Sequence, residues 1–434
     1  MYIKPRLYRG MRDFLPEDML PREKMMNTVR ETFRKWGFSP ISTPAIEHKE
    51  ILQGKYGESA DRLIYSIEHK DDIALRYDLT VPLARVVSMY SQDLPTPFKR
   101  YQIQEVWRAE RAQPRQGRFR EFLQCDVDTV GTDSLCADSE ILALSVELLS
   151  SLGFPDSLTL VNHRAILRGL MEVSGFPESA EMDICRVIDK LAKIGEEKVK
   201  ELLLDEGYQI ESVDSLFEII LKKGDNIELL DFLHENYSEN PNIARGVADL
   251  REIFSLLENF GVSREKFELD LSLARGLDYY TGTIFESVIP AQPHIGSLTG
   301  GGRYDELIGL FSKKPIPAVG ITIGLDRIIA ALADAGRSQK INTPTRVLVT
   351  VFSENLINDS IELATRLRKA EIPAEVYLQT DRFKKQFSYA DKLGIPYVAI
   401  IGENEKKASK IALKEMKSGK QELLDFEEFV ARMK

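Results

Sequence analysis

The chain predicts an α+β fold: a body built on an antiparallel sheet, interrupted by a helical insertion and followed by a separate α/β domain. Three observations predict it. Two strand-like runs, Arg100–Glu110 and Phe119–Val130, are joined by a short loop, which favours an antiparallel hairpin. From His163 to about Gly261 the pattern turns helical, dense in Leu, Ile, Glu and Lys. Beyond a polar linker, strand-like and helix-like segments alternate to the end of the chain. At 434 residues the chain exceeds a single core, so two or three domains are expected. The expected division is 1–162 with 262–332 for the body, 163–261 for the insertion and 343–434 for the C-terminal domain.

Composition narrows the class. Apolar residues make up 43% and charged residues 29%, ordinary values for a folded globular protein. No apolar run approaches the ~20 residues of a membrane span, and Met1-Tyr2-Ile3-Lys4-Pro5-Arg6 lacks a signal-peptide core. The three cysteines, Cys125, Cys136 and Cys185, have no paired spacing and fit a reducing cytoplasm rather than a disulfide or zinc framework. The net charge of −10 argues against indiscriminate coating of nucleic acid. Its distribution is uneven: Thr343–Lys434 carries 16 Lys+Arg against 14 Asp+Glu, so the remainder is the acidic part. Within that acidic part, Lys99–Arg120 holds seven basic residues against Glu105 and Glu110, which points to phosphate contact at one place or to a solvated charged turn.

In chain order, Glu17–Lys35 reads as an amphipathic helix, with Met26, Val29, Phe33 and Trp36 at helical spacing. Gly37 stops it, and Phe38–Thr43 reads as a strand closed by Pro44. In Leu75–Thr80, Asp78 and Thr80 alternate, so on an extended segment both face one side and suit an α-ammonium group. Thr80 also suits a helix N-cap before Val81-Pro82-Leu83. Both roles are compatible, with Thr80 capping while Asp78 binds. On the return strand of the hairpin, Phe122, Gln124, Asp126 and Asp128 share one face, and Leu123, Cys125 and Val127 the other. The first face reads as the floor of a polar pocket, and Arg111, Arg115, Arg118 and Arg120 lie in or beside the loop.

The insertion, broken at Gly175-Phe176-Pro177, Gly207 and Gly224, predicts four or more helices and carries no recognisable chemistry. After it, Leu271–Glu286 delivers Arg275, Gly276, Asp278, Tyr279 and Tyr280 into Thr283–Glu286, whose alternation reads as a half-buried strand. A permanent cation beside two tyrosines suits a planar polar ligand with a phosphate, the competing reading being an exposed arginine on a turn. Gly300-Gly301-Gly302 lets backbone pass close to a ligand or turn sharply, without dinucleotide-fingerprint spacing. Ala318–Arg327 is a glycine-containing strand that delivers Arg327 to the start of an apolar helix. Ala333–Thr343 is the polar linker. Beyond it, strands Val347–Phe352, Ala374–Leu378 and Tyr397–Ile401 alternate with helices Leu356–Ala370 and Phe383–Leu393, as in a small parallel α/β domain without a phosphate loop.

The run Arg275-Gly-Leu-Asp-Tyr-Tyr280, Gly300-Gly-Gly-Arg-Tyr-Asp305 and the arginine-rich hairpin together resemble histidyl-tRNA synthetases. The helix–strand–proline start, the hairpin and the Gly-strand with Arg327 are similar to the three motifs of class II aminoacyl-tRNA synthetases. Residues 343–434 resemble the anticodon-binding domain. Asp78-Leu79-Thr80 and the 273–282 run look more like the eukaryotic and archaeal branch, common bacterial forms having Glu-Gly-Thr at the first site. The resemblance implies a class II catalytic sheet, a cytoplasmic homodimer, and ATP, L-histidine and tRNA(His) as substrates, with Mg2+ accompanying ATP and its ligands open. It implies that Arg108 and Arg275 act on the α-phosphate as the catalytic cations. Glu110 would meet the adenine edge, Phe122 would stack on adenine and Arg327 would hold the far phosphates. Asp78, Leu79 and Thr80 would form the site of the histidine ammonium, with Gln124 helping, and Asp128 with Tyr279 or Tyr280 would read the imidazole. The alternative from another class is the non-catalytic, histidine-sensing regulatory subunit of ATP phosphoribosyltransferase, which usually lacks the C-terminal domain. A class II synthetase for another amino acid is a third reading, disfavoured by the tyrosine pair.

Overall fold

The structure, a computed structural model, describes residues 3–55, 61–274, 279–312, 314–338 and 341–433. It divides into two compact units, Met1–Arg12 with Met25–Ser338, and Asp13–Lys24 with Gln339–Lys434.

The first unit is organised on an eight-stranded sheet in the order β1-β5-β6-β11-β10-β9-β7-β8. Its strands are β1 (Ser39–Pro40), β5 (Phe98–Trp107), β6 (Glu121–Val130), β7 (Leu158–His163), β8 (Phe267–Leu269), β9 (Thr283–Val288), β10 (Thr299–Arg303) and β11 (Ala318–Gly324). The six inner strands pair antiparallel, and each outermost strand joins parallel. A three-stranded sheet of β2 (Ile46–His48), β3 (Ser66–Ile67) and β4 (Ile73–Leu75) stands beside it in sequence. The predicted hairpin is β5–β6, with Gln104 opposite Gln124 and Arg100 opposite Asp128. The strand expected at Phe38–Thr43 shortens to Ser39–Pro40, because prolines 40 and 44 supply no N–H to a ladder.

Strand β9 departs from its half-buried expectation. Thr283, Ile284, Phe285 and Ser287 are all buried, since the strand lies inside the sheet with covered faces. Ile284 and Phe285, on opposite faces, belong to one continuous apolar core. That core also takes Val29 and Phe33 from the long helix Pro16–Lys35, and Ile141, Leu144 and Leu148 from the helix Leu135–Ser151.

The insertion is helical as expected and is embedded in the same core through Ile166, Leu170, Ile243 and Leu250. Helices Arg164–Val173 and Pro241–Asn259 approach closely because a glycine of each faces an isoleucine of the other. A Cβ on Gly246 would lie 2.6 Å from Ile166 Cγ1, and one on Gly169 would lie 2.5 Å from Ile243 Cγ1. Ligand-facing or not, this crossing ties the insertion to the sheet, because β7 runs directly into the first of the two helices.

The second unit holds a five-stranded sheet, β13 (Ala374–Val376), β12 (Val347–Val349), β14 (Tyr397–Ile400), β15 (Ile411–Glu415) and β16 (Gln421–Leu424) in that spatial order. The first three are parallel as expected. Strands β15 and β16 pair antiparallel, so the sheet is mixed rather than purely parallel. The hairpin between them turns at Gly419, whose φ of +72° suits glycine, and the Lys- and Glu-rich composition there hid the strand alternation.

Candidate functional site

Strand β6 builds the floor of the principal cleft. Its period of two sends Phe122, Gln124, Asp126 and Asp128 to one side, and all but Phe122 are buried. Above the floor lies a cleft of about 410 Å³ lined by Asp78, Thr80, Arg108, Glu110, Phe122, Gln124, Tyr279, Tyr280 and Arg327, among others. Nine side chains proposed from separate stretches of sequence therefore meet in one place. Leu79 and Asp128 are buried and do not line the cleft. Arg275 lies outside the described residues, with its neighbours up to Asp278.

Arg108 is held before any ligand arrives. Its guanidinium sits 4.3 Å from the Tyr77 ring centroid and 5.1 Å from that of Phe122. Its Nε donates to the Tyr77 carbonyl at 3.1 Å and its Nη2 to Gln124 Oε1 at 3.1 Å. Arg327 leaves the first turn of the helix Leu325–Asp334 and donates from Nη1 to the Ser297 carbonyl at 2.6 Å. Gly117, with φ of +67°, brings the hairpin loop against this turn, where a Cβ would lie 2.6 Å from the Asp326 carbonyl oxygen.

The 78–80 segment resolves the capping question the other way round. Thr80 is the first helical residue of Thr80–Met89 and Leu79 occupies the N-cap with helical φ and ψ. The side chain that accepts from the helix is Asp78, whose Oδ1 takes the Val81 N–H at 3.1 Å. Because Leu79 already turns into the helix, the capping side chain falls two residues earlier than expected. Both Asp78 and Thr80 still line the cleft.

Below the floor runs a buried polar chain. Asp128 pairs with Arg100 at 2.7 Å and accepts the Tyr304 hydroxyl. Gly320 opposes it on β11, where a Cβ would stand 1.9 Å from Asp128 Oδ1. The expected imidazole reader is thus a carboxylate already engaged on two sides. The Tyr279 and Tyr280 rings lie 4.9 Å apart, tilted by 58°, and Tyr279 meets Tyr304 edge-on at 5.8 Å. Burial raises the Tyr280 phenol above its ordinary range, with Asp128, Asp126 and Asp78 adding to the rise. In the glycine run, Gly300 and Gly301 line the cleft, and Gly301 faces the β11 backbone so closely that a Cβ would lie 2.2 Å from the Gly320 carbonyl. Arg303 is buried and spends its donors on Asp138, the Thr132 and Ser134 carbonyls and Asp305.

Sequence reasoning missed one whole wall. Met182, Cys185, Arg186 and Asp189, at i, i+3, i+4 and i+7 around the helix Glu181–Ile188, line the same cleft, joined by Arg164. Arg164 Nη2 donates to Glu181 Oε1 at 2.9 Å, which fixes the helix to its own root. The helical spacing was visible; what that face looks onto was not. Thr322, Asp326, Arg118 and Phe119 also line it.

The chain matches the family described as histidyl-tRNA synthetase over residues 10–328, and the one described as anticodon binding domain over residues 346–434. The histidine–tRNA ligase of Cytophaga hutchinsonii is 41% identical over 455 residues, with 99% of each chain covered. That of Rhodopirellula baltica is 42% identical, covering 95% of this chain and 93% of the relative. The crystal structure of histidyl-tRNA synthetase from Nostoc sp. PCC 7120 superposes with a TM-score of 0.90 at 33% identity, covering 99% of this chain and 100% of that one.

Proposed function

The chain belongs to the histidyl-tRNA synthetase family, and on that premise we infer that it is a histidine–tRNA ligase. It activates L-histidine with ATP to histidyl-adenylate and diphosphate, then passes the histidyl group to the 3′ end of tRNA(His). The observation that carries this reading is the meeting of Arg108, fixed between two rings, with Asp78, Thr80, Gln124 and the tyrosine pair in one cleft.

The chemistry asks for such a site. A carboxylate attacking a phosphate brings two anions together, so fixed cations at the α-phosphate are the chief requirement. The attacking carboxylate is already ionised near neutral pH, and no general base is needed. Arg108 has its rotamer held by Tyr77 and Phe122, so little ordering remains to be done when the phosphate arrives. Arg275 would supply the second cation, Arg327 the contact to the far phosphates, Phe122 a ring face for adenine and Glu110 an acceptor at its edge. Asp78 and Thr80, at a helix start, would take the histidine ammonium with Gln124. Tyr279 or Tyr280 would meet the imidazole, with Asp128 acting from beneath the floor. Buried partners of this kind reject ligands that leave them unpaired by ~10⁴ or more.

Mg2+ fits as a companion of ATP rather than as a resident ion. Among the described residues no cluster of three His, Cys, Asp or Glu could hold a metal, and Mg2+ is commonly held by substrate phosphates with one or two carboxylates. A homodimer belongs to the same reading, and the exposed apolar side chains Ile3, Leu7 and Tyr8 are surface that a second copy would cover. Among the described residues no helix is long and apolar enough to cross a membrane, in keeping with a cytoplasmic enzyme. Residues 343–434 would hold the anticodon end of the tRNA, and 163–261 would form the insertion of a catalytic domain made of 1–162 and 262–332. The regulatory-subunit reading loses ground to the C-terminal match and to the furnished cleft. The deciding experiment is pyrophosphate exchange with each of the twenty amino acids: exchange driven by histidine is expected, and exchange driven by another amino acid instead would overturn the assignment.

A further inference from the structure

On the same face of β6 as Gln124 lies a buried carboxylate to which the ligase reading gives no role. Asp126 is 1% exposed and sits on β6 between Gln102 of β5 and Thr322 of β11. It does not line the cleft, but the side chain next to it does. Gln124 Nε2 donates to the two Asp126 oxygens at 3.2 and 3.4 Å, while Gln124 Oε1 accepts from Arg108 Nη2 at 3.1 Å. A carboxamide has two opposite ends, and its neighbours decide which end faces where. Arg108 can only donate and an ionised carboxylate can only accept, so both demand the same orientation, oxygen toward Arg108 and NH2 toward the floor.

We propose that Asp126 is a positioning residue for histidine: ionised, it holds the Gln124 amide with its oxygen available to the ligand's α-ammonium, and protonated, it becomes a donor that lets the amide turn over. In the turned state an NH2 group would oppose both Arg108 and the ammonium, a donor against donors. This inference rests on the histidine reading of the cleft and adds to it.

The groups facing Asp126 place the switch near neutrality. Burial pushes its carboxyl up to about 7, Arg100 of β5 opposing and Asp128 of the same strand reinforcing the rise, while hydrogen bonds from Thr322 and Gln124 lower it. The Tyr280 phenol stands close on the cleft side and is itself raised by Asp126. The sign follows: the ionised, binding-competent form dominates above about pH 7 and is lost below it.

The test is the KM for histidine in pyrophosphate exchange at saturating ATP, between about pH 6 and 8, for the full chain and its Asp126→Asn variant. Histidine's own imidazole titrates in this range, but equally for both proteins, so the ratio of KM values isolates Asp126. At the alkaline end D126N is expected to raise KM about tenfold, the scale of one misdirected hydrogen bond, with kcat little changed. At the acid end the ratio is expected to fall to within about twofold, because the wild-type carboxyl is then neutral too. A ratio that stays constant across the range, whether near one or large, overturns the positioning role and leaves the ligase reading standing. Absence of histidine-dependent exchange in the unaltered protein overturns both. Thr322→Val provides a second readout that does not depend on D126N folding: removing a donor to Asp126 should move the midpoint of the unaltered pH profile upward. An unmoved midpoint counts against the proposal as well.

Discussion

The side chains of the cleft are held by contacts that do not need the ligand, and this decides what their loss should do. Arg108 is braced by two rings and a carbonyl. Arg275, in the run Arg275–Tyr280, is proposed to act with it on the α-phosphate. Arg275→Ala should leave folding and ATP binding largely intact and lower adenylate formation by ~10²–10³, the usual effect of removing one fixed transition-state charge. Histidine-dependent pyrophosphate exchange within tenfold of the unaltered protein would refute that role. Asp128 behaves differently, because it also balances a buried cation. Asp128→Ala strands Arg100, and breaking a buried pair of this kind typically costs about 3–5 kcal/mol. The alanine variant is therefore expected to melt at lower temperature as well as to demand more histidine. Asp128→Asn also removes the counter-charge of Arg100 but keeps the shape and an acceptor oxygen, so it should melt between the alanine variant and the unaltered protein. If the asparagine variant raises the KM for ATP as much as that for histidine, Asp128 serves the fold alone.

At the level of elements, the sequence was most readable where periodicity and partner coincided. The β5–β6 hairpin and its polar face followed from alternation, but of that face only Phe122 and Gln124 line the cleft, while Asp126 and Asp128 are buried away from it. Local chemistry was harder. Asp78 rather than Thr80 caps the helix because Leu79 has helical backbone angles, a fact no propensity reveals. The helix Glu181–Ile188 was legible as a helix, but its cleft-facing stripe of Met182, Cys185, Arg186 and Asp189 depends on tertiary placement. That placement rests on the glycine crossing of Arg164–Val173 with Pro241–Asn259. Gly246→Ala would overpack the crossing, and an expected loss of about 1–3 kcal/mol should appear as a lower midpoint in thermal or urea denaturation. An unchanged midpoint would show that Ile166 gives way freely, and that the two helices are not locked at this point.

On the scale of the molecule, β15 and β16 escaped notice because charged residues interrupt their alternation. The match of residues 346–434 to the anticodon binding domain, with the slightly basic balance of Thr343–Lys434, supports the proposal of RNA contact there. Removing it should spare histidyl-adenylate formation more than tRNA charging, once circular dichroism and sizing show that the remainder is folded. A truncated protein that still charges normal tRNA fully and still discriminates anticodon variants would remove the anticodon role from this segment. The sheet order has a further consequence, in time rather than space. Strand β6 ends at Val130, and its inner neighbour β11 begins only at Ala318. At about 5–20 residues per second, the roughly 190 residues between them take on the order of 10–40 s to leave the ribosome. Throughout that interval the nascent hairpin carries an unpaired edge. The insertion helices, closed by local contacts, emerge during the wait and can fold first. A chain halted before Ala318 should therefore be helical in circular dichroism yet prone to aggregate through the waiting edge of β6.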